Sequence, residues 1–516
     1  MKVMRSRFLA AAAIAAMATT SVAQAETLRE ALERTYRSNP TLMAQRERLR
    51  SLDEAVAVAR AGLRPSVSAV AGINQDLFNT GSGEPRNFSV GVDVNYPLFN
   101  AGSVRNQIRA ADARVIAGRA DLRATEGDVF TNAVGVYMDV IRDRSIVALN
   151  ENQIRVLQTN LEATRDRFEV GDLTRTDVAQ SEARLALAQS GLATAQGRLR
   201  SSEEAFRRVI GDLPDELDPP PPLPRLPGTA DEAVTVALDN NPDLRSVAAQ
   251  IEAAGLDIEV IRAGRLPTVN ATGGVDYLNR LGSAAELLSG PPVPGQSLPA
   301  NEVAGSSVGV TARIPIYQGG LVGARVRQSS ALRSQFIEQA IETERFVIAN
   351  TRAAFATYRA ALEAIESNEV AVAANQLALE GVRAENSVGT RNILDVLNAE
   401  QELLNSEVQL VTARRDAYVA GFSLLNAMGR AEAEDLGLDG GPLYDPLTNY
   451  NNTVRRASDW NDGEQNRTAT STRTAPEGSV SPITPFIGPI DPRAPRQPVT
   501  DRPQNPATNP VTAQPQ

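Results

Sequence analysis

The sequence NFSVGVDVNYPLFNAG spans residues 87–102, and every second residue from Phe88 to Leu98 is apolar. Asn, Ser, Gly and Asp occupy the positions between them as far as Asn95. Because successive side chains of a β-strand point to opposite faces, this period of two predicts a strand with one apolar and one polar face. Strands of about ten residues cross a bilayer when tilted, and the polar face then lines a lumen. The edge of a soluble β-sandwich is the alternative.

The same alternation recurs elsewhere, and the chain is predicted to contain four strands. Residues 268–277 and 307–316 show the pattern clearly, whereas residues 66–78 show it least clearly. A proline precedes each predicted hairpin, at a position where a missing amide donor does least harm. The Gly- and Pro-rich stretch 280–305 is predicted to be a loop between the last two strands.

Short motifs recur in the same order in the two halves of the chain. Early matches are 202 residues apart and later ones 218 apart, so one insertion of 16 residues separates the strands of the second copy. We therefore predict a first repeat at 26–211, a Pro-rich crossover at 212–228 and a second repeat at 229–440. The matches are Asn39-Pro40 with Asn241-Pro242, Ala61-Gly62 with Ala263-Gly264, 96–102 with 314–320, Val170-Gly171 with Val388-Gly389, and Ile210-Gly211 with Met428-Gly429.

Each hairpin is followed by a helical stretch far longer than an average helix. Residues 102–169 contain no proline, and in the matching part of the second copy apolar residues recur at coiled-coil spacings between Ile337 and Leu379. A helix of about 68 residues would be about 100 Å long. Tip turns are predicted at Gly171 and Gly389, where glycine allows a left-handed conformation and the chain reverses.

The two ends of the chain differ from its middle. Residues 1–25 carry three basic residues, an Ala-rich apolar run and a final Ala-Gln-Ala, which is typical of a cleaved signal peptide. Its removal would leave 49 basic and 62 acidic residues, a net charge of -13. After residue 25 there is no run of eighteen apolar residues. Residues 441–516 are rich in proline and polar residues and are predicted to be a largely disordered tail.

Composition excludes several classes of protein. The chain has no cysteine and no histidine, so disulfides, Cys nucleophiles and a Ser-His-Asp triad are excluded. The net charge of -10 is the wrong sign for binding a phosphate backbone, so no nucleic-acid partner is expected. We expect no enzyme activity, no cofactor and no metal site. A secreted hydrolase would need a clustered carboxylate pair, which the sequence does not offer.

The number of strands constrains the assembly. Four strands per chain are too few, because single-chain bacterial barrels have at least eight. Two chains would give eight strands filled by side chains, and three would give twelve with room for a channel. The long helices need neighbours to bury their apolar stripes, and a helical barrel continuing from the sheet needs an open middle. The predicted fold is therefore an α+β membrane protein, a trimer with a twelve-stranded barrel.

The chain resembles the TolC family of trimeric outer-membrane channel-tunnels over residues 27–440. The resemblance rests on the duplicated hairpin and long-helix plan, the Val-Gly turns and the strand exits at 96–102 and 314–320. It implies a twelve-stranded barrel in the outer membrane and a twelve-helix coiled-coil tunnel through the periplasm. It also implies partners, a periplasmic adaptor protein and an inner-membrane pump of the ABC or RND type.

The function implied is that of a passive exit duct for type I protein secretion or multidrug efflux. The cargo is not apparent from the sequence, although the absence of a lipidatable cysteine favours protein secretion through an ABC-type pump. An exported structural coiled coil or adhesin without a pore is the alternative.

The resemblance also assigns residues to a gate at the tip of the tunnel. Arg391 would pair with Thr176 and Asp177 across neighbouring helices, and such an exposed pair contributes only about 0–1 kcal/mol. Asp395, brought onto one axis by three chains, would form an acidic ring that attracts cations. Without the resemblance, both aspartates are interpreted as carboxylates that complement a helix N-terminus.

Two positions differ from the family pattern. Asn398 stands where a second ring aspartate is expected, and Asn386 stands where a latch tyrosine is expected. One acidic ring instead of two weakens the expectation of tight block by a multivalent cation.

Overall fold

The computed structural model describes residues 25–75, 86–284, 295, 297, 300–438 and 443–461. The predicted signal peptide, apart from Ala25, and residues 462–516 of the predicted tail lie outside these residues. Contacts divide the chain into a unit ending at Ala457 and a second unit beginning at Ser458. In the second unit only residues 458–461 are described. The elements below all belong to the first unit.

Both repeats contain two short helices, two strands and two long helices in the same order. The first repeat consists of α1 (Leu28–Ser38), α2 (Pro40–Ala61), β1 (Ser66–Gln75), β2 (Arg86–Phe99), α3 (Ser103–Glu169) and α4 (Arg175–Ile210). The second consists of α5 (Ala230–Asn240), α6 (Pro242–Ala263), β3 (Thr268–Asn279), β4 (Glu302–Arg313), α7 (Leu321–Ser387) and α8 (Ile393–Ala427). A last helix, α9 (Pro446–Arg455), follows. The fold is α+β.

The four described strands form one antiparallel sheet in the order β1-β2-β3-β4. Val92 of β2 lies opposite Ala69 of β1 and Val275 of β3. This register aligns the apolar residues of neighbouring strands on one face, as the alternation in residues 87–98 predicted. The other face carries mostly Ser, Gly, Asn and Asp. The sheet therefore has one apolar face that continues from strand to strand.

The repeated Asn-Pro motif joins the short helices to the ends of the return helices. Asn39 caps α2, and its amide nitrogen donates to the backbone oxygen of Val209, 2.9 Å away in the last turn of α4. Asn241 caps α6 and donates to Ala427 at the end of α8 over 3.3 Å. Proline at the first helical position suits a helix start, because its missing N–H would have no partner there.

The core lies where the short helices meet the middle of α3 and the ends of α4 and α8. Phe130, Tyr137 and Phe206 are completely buried in it, and Phe422 and Leu424 of α8 pack into the same cluster. Hence α3 crosses the centre of the core of the chain.

The two longest helices each have 67 residues but differ in burial. In α3, 23 residues are buried, whereas in α7 only Ser329, Val347, Thr351 and Leu379 are buried. Both helices begin after a glycine in the left-handed conformation, Gly102 with φ 77° and Gly320 with φ 79°. Equal length and an equal start therefore do not give an equal environment.

Two sequence predictions need correction. Residues 302–305 belong to β4 and not to the loop, because Glu302 pairs with Asn279 and lengthens the ladder. This strand ends at Arg313 and excludes residues 314–316, because Arg313 pairs with Thr268, the first residue of β3. Among the described residues, no helix is long and apolar enough to cross a membrane.

Part of the predicted tail is helical. Asp445 caps α9, and Pro446 occupies its first position. Asn449 donates to the buried carboxylate of Asp53 on α2 over 2.8 Å, and the Tyr450 hydroxyl donates to Asp112 on α3 over 2.8 Å. These contacts order residues 446–455, because polar side chains of α9 meet partners on two earlier helices.

Candidate functional site

The predicted tip residues lie at the two turns that join the long helices. Gly171 follows α3 with φ 83°, and Gly389 follows α7 with φ 81°. In both turns the backbone amide of the residue after the glycine donates a hydrogen bond to a carbonyl oxygen in the last turn of the preceding helix. Asp172 donates to Arg167 over 2.9 Å, and Thr390 donates to Glu385 over 3.0 Å. Glycine relieves the strain that a side chain would bring to this left-handed position.

Asp177 is engaged within its own turn. Thr174 caps α4, and its amide and hydroxyl donate to the Asp177 carboxylate over 2.9 and 2.7 Å. This reciprocal arrangement is a capping box, which satisfies amide groups at the helix start. Thr176 beside it is exposed. In a single chain, Asp177 therefore has the contacts expected of a carboxylate at a helix N-terminus.

Arg391 is bound to carboxylates of the second turn. Its Nε lies 2.7 Å from Glu385 Oε2, and its Nη1 lies 3.6 Å from Asp395 Oδ2. Glu385 first and Asp395 second raise the pKa of Arg391 above its ordinary value. The Asn386 amide donates to the backbone oxygen of Arg391 over 2.8 Å and fixes the turn. Glu385 was not among the predicted site residues, although it lies only six residues before Arg391.

Among the described residues of one chain, Arg391 makes no contact with Thr176 or Asp177 that would form the predicted latch. Such a pair between two copies stays a prediction.

Asn398 is held by a residue that the sequence did not point to. Arg184 of α4 donates from Nη2 to Asn398 Oδ1 over 2.7 Å. The two residues are 214 positions apart, so this contact joins the helical hairpin of the first repeat to that of the second. Local sequence spacing cannot predict a contact between residues so far apart, so the sequence did not identify Arg184 as the partner of Asn398.

Close to its turn, each helical hairpin is held together by one ion pair. Arg165 on α3 lies 2.6 Å from Glu182 on α4, and Arg383 on α7 pairs with Glu400 on α8. The residues of the second pair follow those of the first by 218 positions. The repeat offset could have revealed them.

Further from the turns, a network of charged groups joins the two hairpins. Asp139 on α3 lies 2.9 Å from Arg415 on α8 and 2.8 Å from Arg142. Arg142 also binds Asp143, which is 1% exposed and accepts a 2.5 Å hydrogen bond from Ser202 on α4. The hairpins are thus tied by several partly buried groups here, and by an exposed hydrogen bond near the tip.

The described residues hold no cluster of three or more carboxylates that could bind a metal ion. What the tip presents is a set of arginines, carboxylates and amides on the ends of four long helices.

Comparisons with known proteins agree with this architecture. The family described as "Outer membrane efflux protein" matches residues 27–212 and 233–430. The chain is 34% identical over 439 residues to outer membrane efflux protein BepC of Brucella suis biovar 1 (strain 1330), covering 83% of this chain and 92% of that one. It is 25% identical over 460 residues to outer membrane protein TolC of Escherichia coli (strain K12), covering 86% and 90%.

Solved structures share the fold. CusC aligns with a TM-score of 0.66 at 17% identity, covering 78% of this chain and 92% of that one. The outer membrane protein VceC of Vibrio cholerae aligns with a TM-score of 0.64 at 20% identity, covering 78% and 96%. The chain belongs to the outer membrane efflux protein family, whose members are channel proteins of the outer membrane.

Proposed function

We propose that the chain is the outer-membrane exit duct of a tripartite export system. Three copies form the duct, which passively conducts cargo from an inner-membrane pump and a periplasmic adaptor to the outside and catalyses no reaction. Residues 1–25 are a signal peptide that is removed on export. The observation that carries the proposal is the four-stranded sheet, whose apolar face lies open and whose outer strands each have one edge without a partner among the described residues.

The apolar face of the sheet has the character of a lipid-facing surface. Val67, Ile73 and Val308 are 67%, 72% and 94% exposed. Val67 and Ile73 lie opposite Val94 and Phe88, and Val308 lies opposite Gly273. A soluble monomer rarely leaves so large an apolar patch in water. The four strands have 10 to 14 residues, long enough to cross the hydrocarbon layer when tilted. In a protein of the outer membrane, this face meets lipid.

The free edges of the sheet support association of several copies. Within the described part of the chain, β1 pairs only with β2 and β4 pairs only with β3. An unpaired strand edge in lipid is costly, so β4 of one copy is proposed to pair with β1 of the next. Three copies close the sheet with twelve strands, which is wide enough for a channel.

The names of the relatives support export but do not agree on one cargo. Proteases secretion protein PrtF of Dickeya chrysanthemi is 24% identical over 431 residues, and BepC is called an efflux protein. The proposal therefore covers type I protein secretion and efflux of small molecules, with an ABC or RND pump in each case.

At the tip, we propose that the helix ends of three copies form a closed constriction. Asp395 of each copy faces the common axis, and Arg391 of one copy approaches Thr176 and Asp177 of the next. In a single chain Arg391 binds Glu385 and Asp395 through contacts that are half exposed, so another copy can compete for it at little cost.

Planar-bilayer conductance of the purified protein tests the proposal. We expect small, mostly closed openings from the wild type and larger ones from Asp395→Ala. Native mass spectrometry of the same detergent-solubilised sample should give a trimer. A folded sample that never conducts would contradict the duct and favour a coiled coil without a pore. A different copy number would contradict the twelve-stranded barrel.

A further inference from the structure

We infer that Arg184 determines the ion specificity of the tip constriction, by placing a positive charge next to Asp395. The inference rests on the proposed function and deepens it. Its basis is the 2.7 Å hydrogen bond from Arg184 to Asn398, three positions after Asp395 on α8. Residues three apart on a helix are neighbours on one face, with Cβ atoms about 5–6 Å apart. The guanidinium therefore sits about one turn from the Asp395 carboxylate.

A second arginine approaches Asp395 from the turn. Arg391 Nη1 lies 3.6 Å from the Asp395 carboxylate, and Arg391 also holds Glu385. Asp395 consequently has two guanidinium groups of its own chain nearby, Arg391 in contact with it and Arg184 bound to the neighbouring Asn398. The four groups Arg184, Arg391, Glu385 and Asp395 together carry no net charge, so this part of the tip is not a bare acidic ring.

Further along α8, the carboxylate of Glu402 shares a cavity with an arginine of α4. Glu402 lines a cavity of about 440 Å³ between α3, α4 and α8, and Arg198 of α4 lines the same cavity. Helix α4 therefore brings Arg184 to Asn398 and Arg198 to the cavity that Glu402 lines. In both places a positive charge of α4 lies beside α8.

This arrangement is confined to one side of the pseudo-symmetric chain. The repeat offset of 218 places Gln180 at the counterpart of Asn398 and Glu402 at the counterpart of Arg184. The first copy thus cannot form the same bond, because its amide position would face a carboxylate. Arg184 contributes one positive charge per chain at the level of Asn398, and three per trimer.

The electrostatic consequence concerns multivalent cations most. The interaction of an ion with a ring of charges scales with the charge of the ion, so a trivalent cation is repelled three times as strongly as a monovalent one. We expect the wild-type constriction to bind trivalent cations weakly. Without Arg184, the three Asp395 carboxylates lose this opposing charge and attract such ions.

Block of the pore by hexaamminecobalt(III) tests the inference. This ion keeps its ligands and reports charge without forming coordination bonds. In planar bilayers, Arg184→Gln should lower the half-blocking concentration about tenfold or more relative to the wild type. Arg184→Lys keeps the charge and should stay within about twofold of the wild type.

Arg414→Gln is the matched control. Arg414 lies on α8 in a surface pair with Glu369, 3.0 Å away. It is 16 positions beyond Asn398, which is about 24 Å along the helix and outside the Debye length of about 10 Å at 0.1 M salt. An equal shift in Arg414→Gln would mean that overall charge controls block and would overturn the inference. No shift in Arg184→Gln would overturn it as well.

Calorimetry separates this inference from the duct itself. Titration of hexaamminecobalt(III) into detergent-solubilised protein should rank the variants in the same order without requiring a current. A wild type without conductance contradicts the proposed function, while the calorimetric ranking still decides the role of Arg184. Equal affinity of the wild type and Arg184→Gln contradicts the role of Arg184, even in a protein that conducts.

Discussion

Helices α3 and α7 occupy matching places in the two repeats, yet they have opposite relations to the rest of the chain. Each has 67 residues, but α3 buries 23 of them and α7 buries four. Only Ile116 and Phe168 are exposed large apolar residues on α3. On α7 there are eight, namely Leu321, Leu332, Ile337, Ile341, Phe346, Leu362, Val370 and Leu377.

The difference shows that the core of a single chain buries the long helix α3 of the first repeat but leaves most of α7 unburied. Helix α3 contacts α1, α2, α4, α6 and α8, whereas α7 contacts α5, α6 and α8. A helix with apolar residues at coiled-coil spacing and few partners has an interface left to fill. In the proposed trimer a neighbouring copy covers α7.

The most direct test of the difference in burial between α3 and α7 is a Phe→Ala substitution on each helix. Phe130→Ala removes a fully buried ring from α3 and should cost about 3–5 kcal/mol of stability. Phe346 on α7 is 62% exposed, so Phe346→Ala should leave the helicity of the chain unchanged and weaken only the association of copies. Circular dichroism on heating measures the first effect, and native mass spectrometry on dilution measures the second. Equal loss of helicity in both variants would show that α7 is packed as firmly as α3.

A pair of glutamates at equivalent positions gives a pH test of the same contrast. Burial raises the pKa of Glu126 on α3 from 4.5 to about 7, and the carboxylate accepts a 2.5 Å hydrogen bond from the amide of Ala433. Its counterpart on α7, Glu344, is exposed. Since the folded-state pKa is raised, the folded chain keeps a proton that the unfolded chain loses between pH 4.5 and 7. Stability therefore falls as pH rises through this window.

Glu126→Gln should remove this pH dependence, because glutamine is always neutral and its oxygen can still accept the amide hydrogen. Relative to the wild type, the variant should gain up to about 3 kcal/mol by pH 8 and nothing below pH 4.5. Melting temperatures across this range are the measurement, with Glu344→Gln as the control. A parallel pH profile for wild type and Glu126→Gln would refute the assignment.

The smallest expected effect is the difference in stability lost when the ion pair near each turn is removed. Glu400 is 4% exposed, and Arg383→Ala would leave its carboxylate buried without this partner, at a cost of about 1–3 kcal/mol. Glu182 is 49% exposed, so Arg165→Ala should cost about 0–1 kcal/mol. Chemical denaturation of the two variants measures the difference. The reverse order would mean that the first hairpin, and not the second, depends on its ion pair.

The strands and long helices could be predicted because they are periodic. The alternation in residues 87–98 corresponds to β2 at Arg86–Phe99, and the proline-free stretch 102–169 corresponds to α3 at Ser103–Glu169. The weakest alternation still gave β1, since pairing with β2 over ten residues compensates for its small side chains. Local pattern was sufficient wherever the element depended on its own residues or on the adjacent strand.

The tip could be located from the sequence but not its contacts. Turns at Gly171 and Gly389 follow from the duplicated Val-Gly motif, whereas the partner of Asn398 lies 214 residues away. Helix α9 was missed for a related reason. Its composition resembles that of the tail, and it is held by Asp53 and Asp112, which lie more than 300 residues earlier. The Asp445-Pro446 start was the one local sign of it.

The sheet order has a consequence for how such a chain could have arisen and could be rebuilt. The β2–β3 seam joins two hairpins of the same polypeptide in antiparallel pairing, and the proposed β4–β1 seam joins hairpins of different polypeptides in the same sense. The closed sheet would thus be a ring of six equivalent hairpins. Neighbouring hairpins would belong alternately to the same polypeptide and to two different polypeptides. An ancestral chain half this long could have closed the same ring as a hexamer, and duplication at the crossover would then have halved the number of subunits that must find one another.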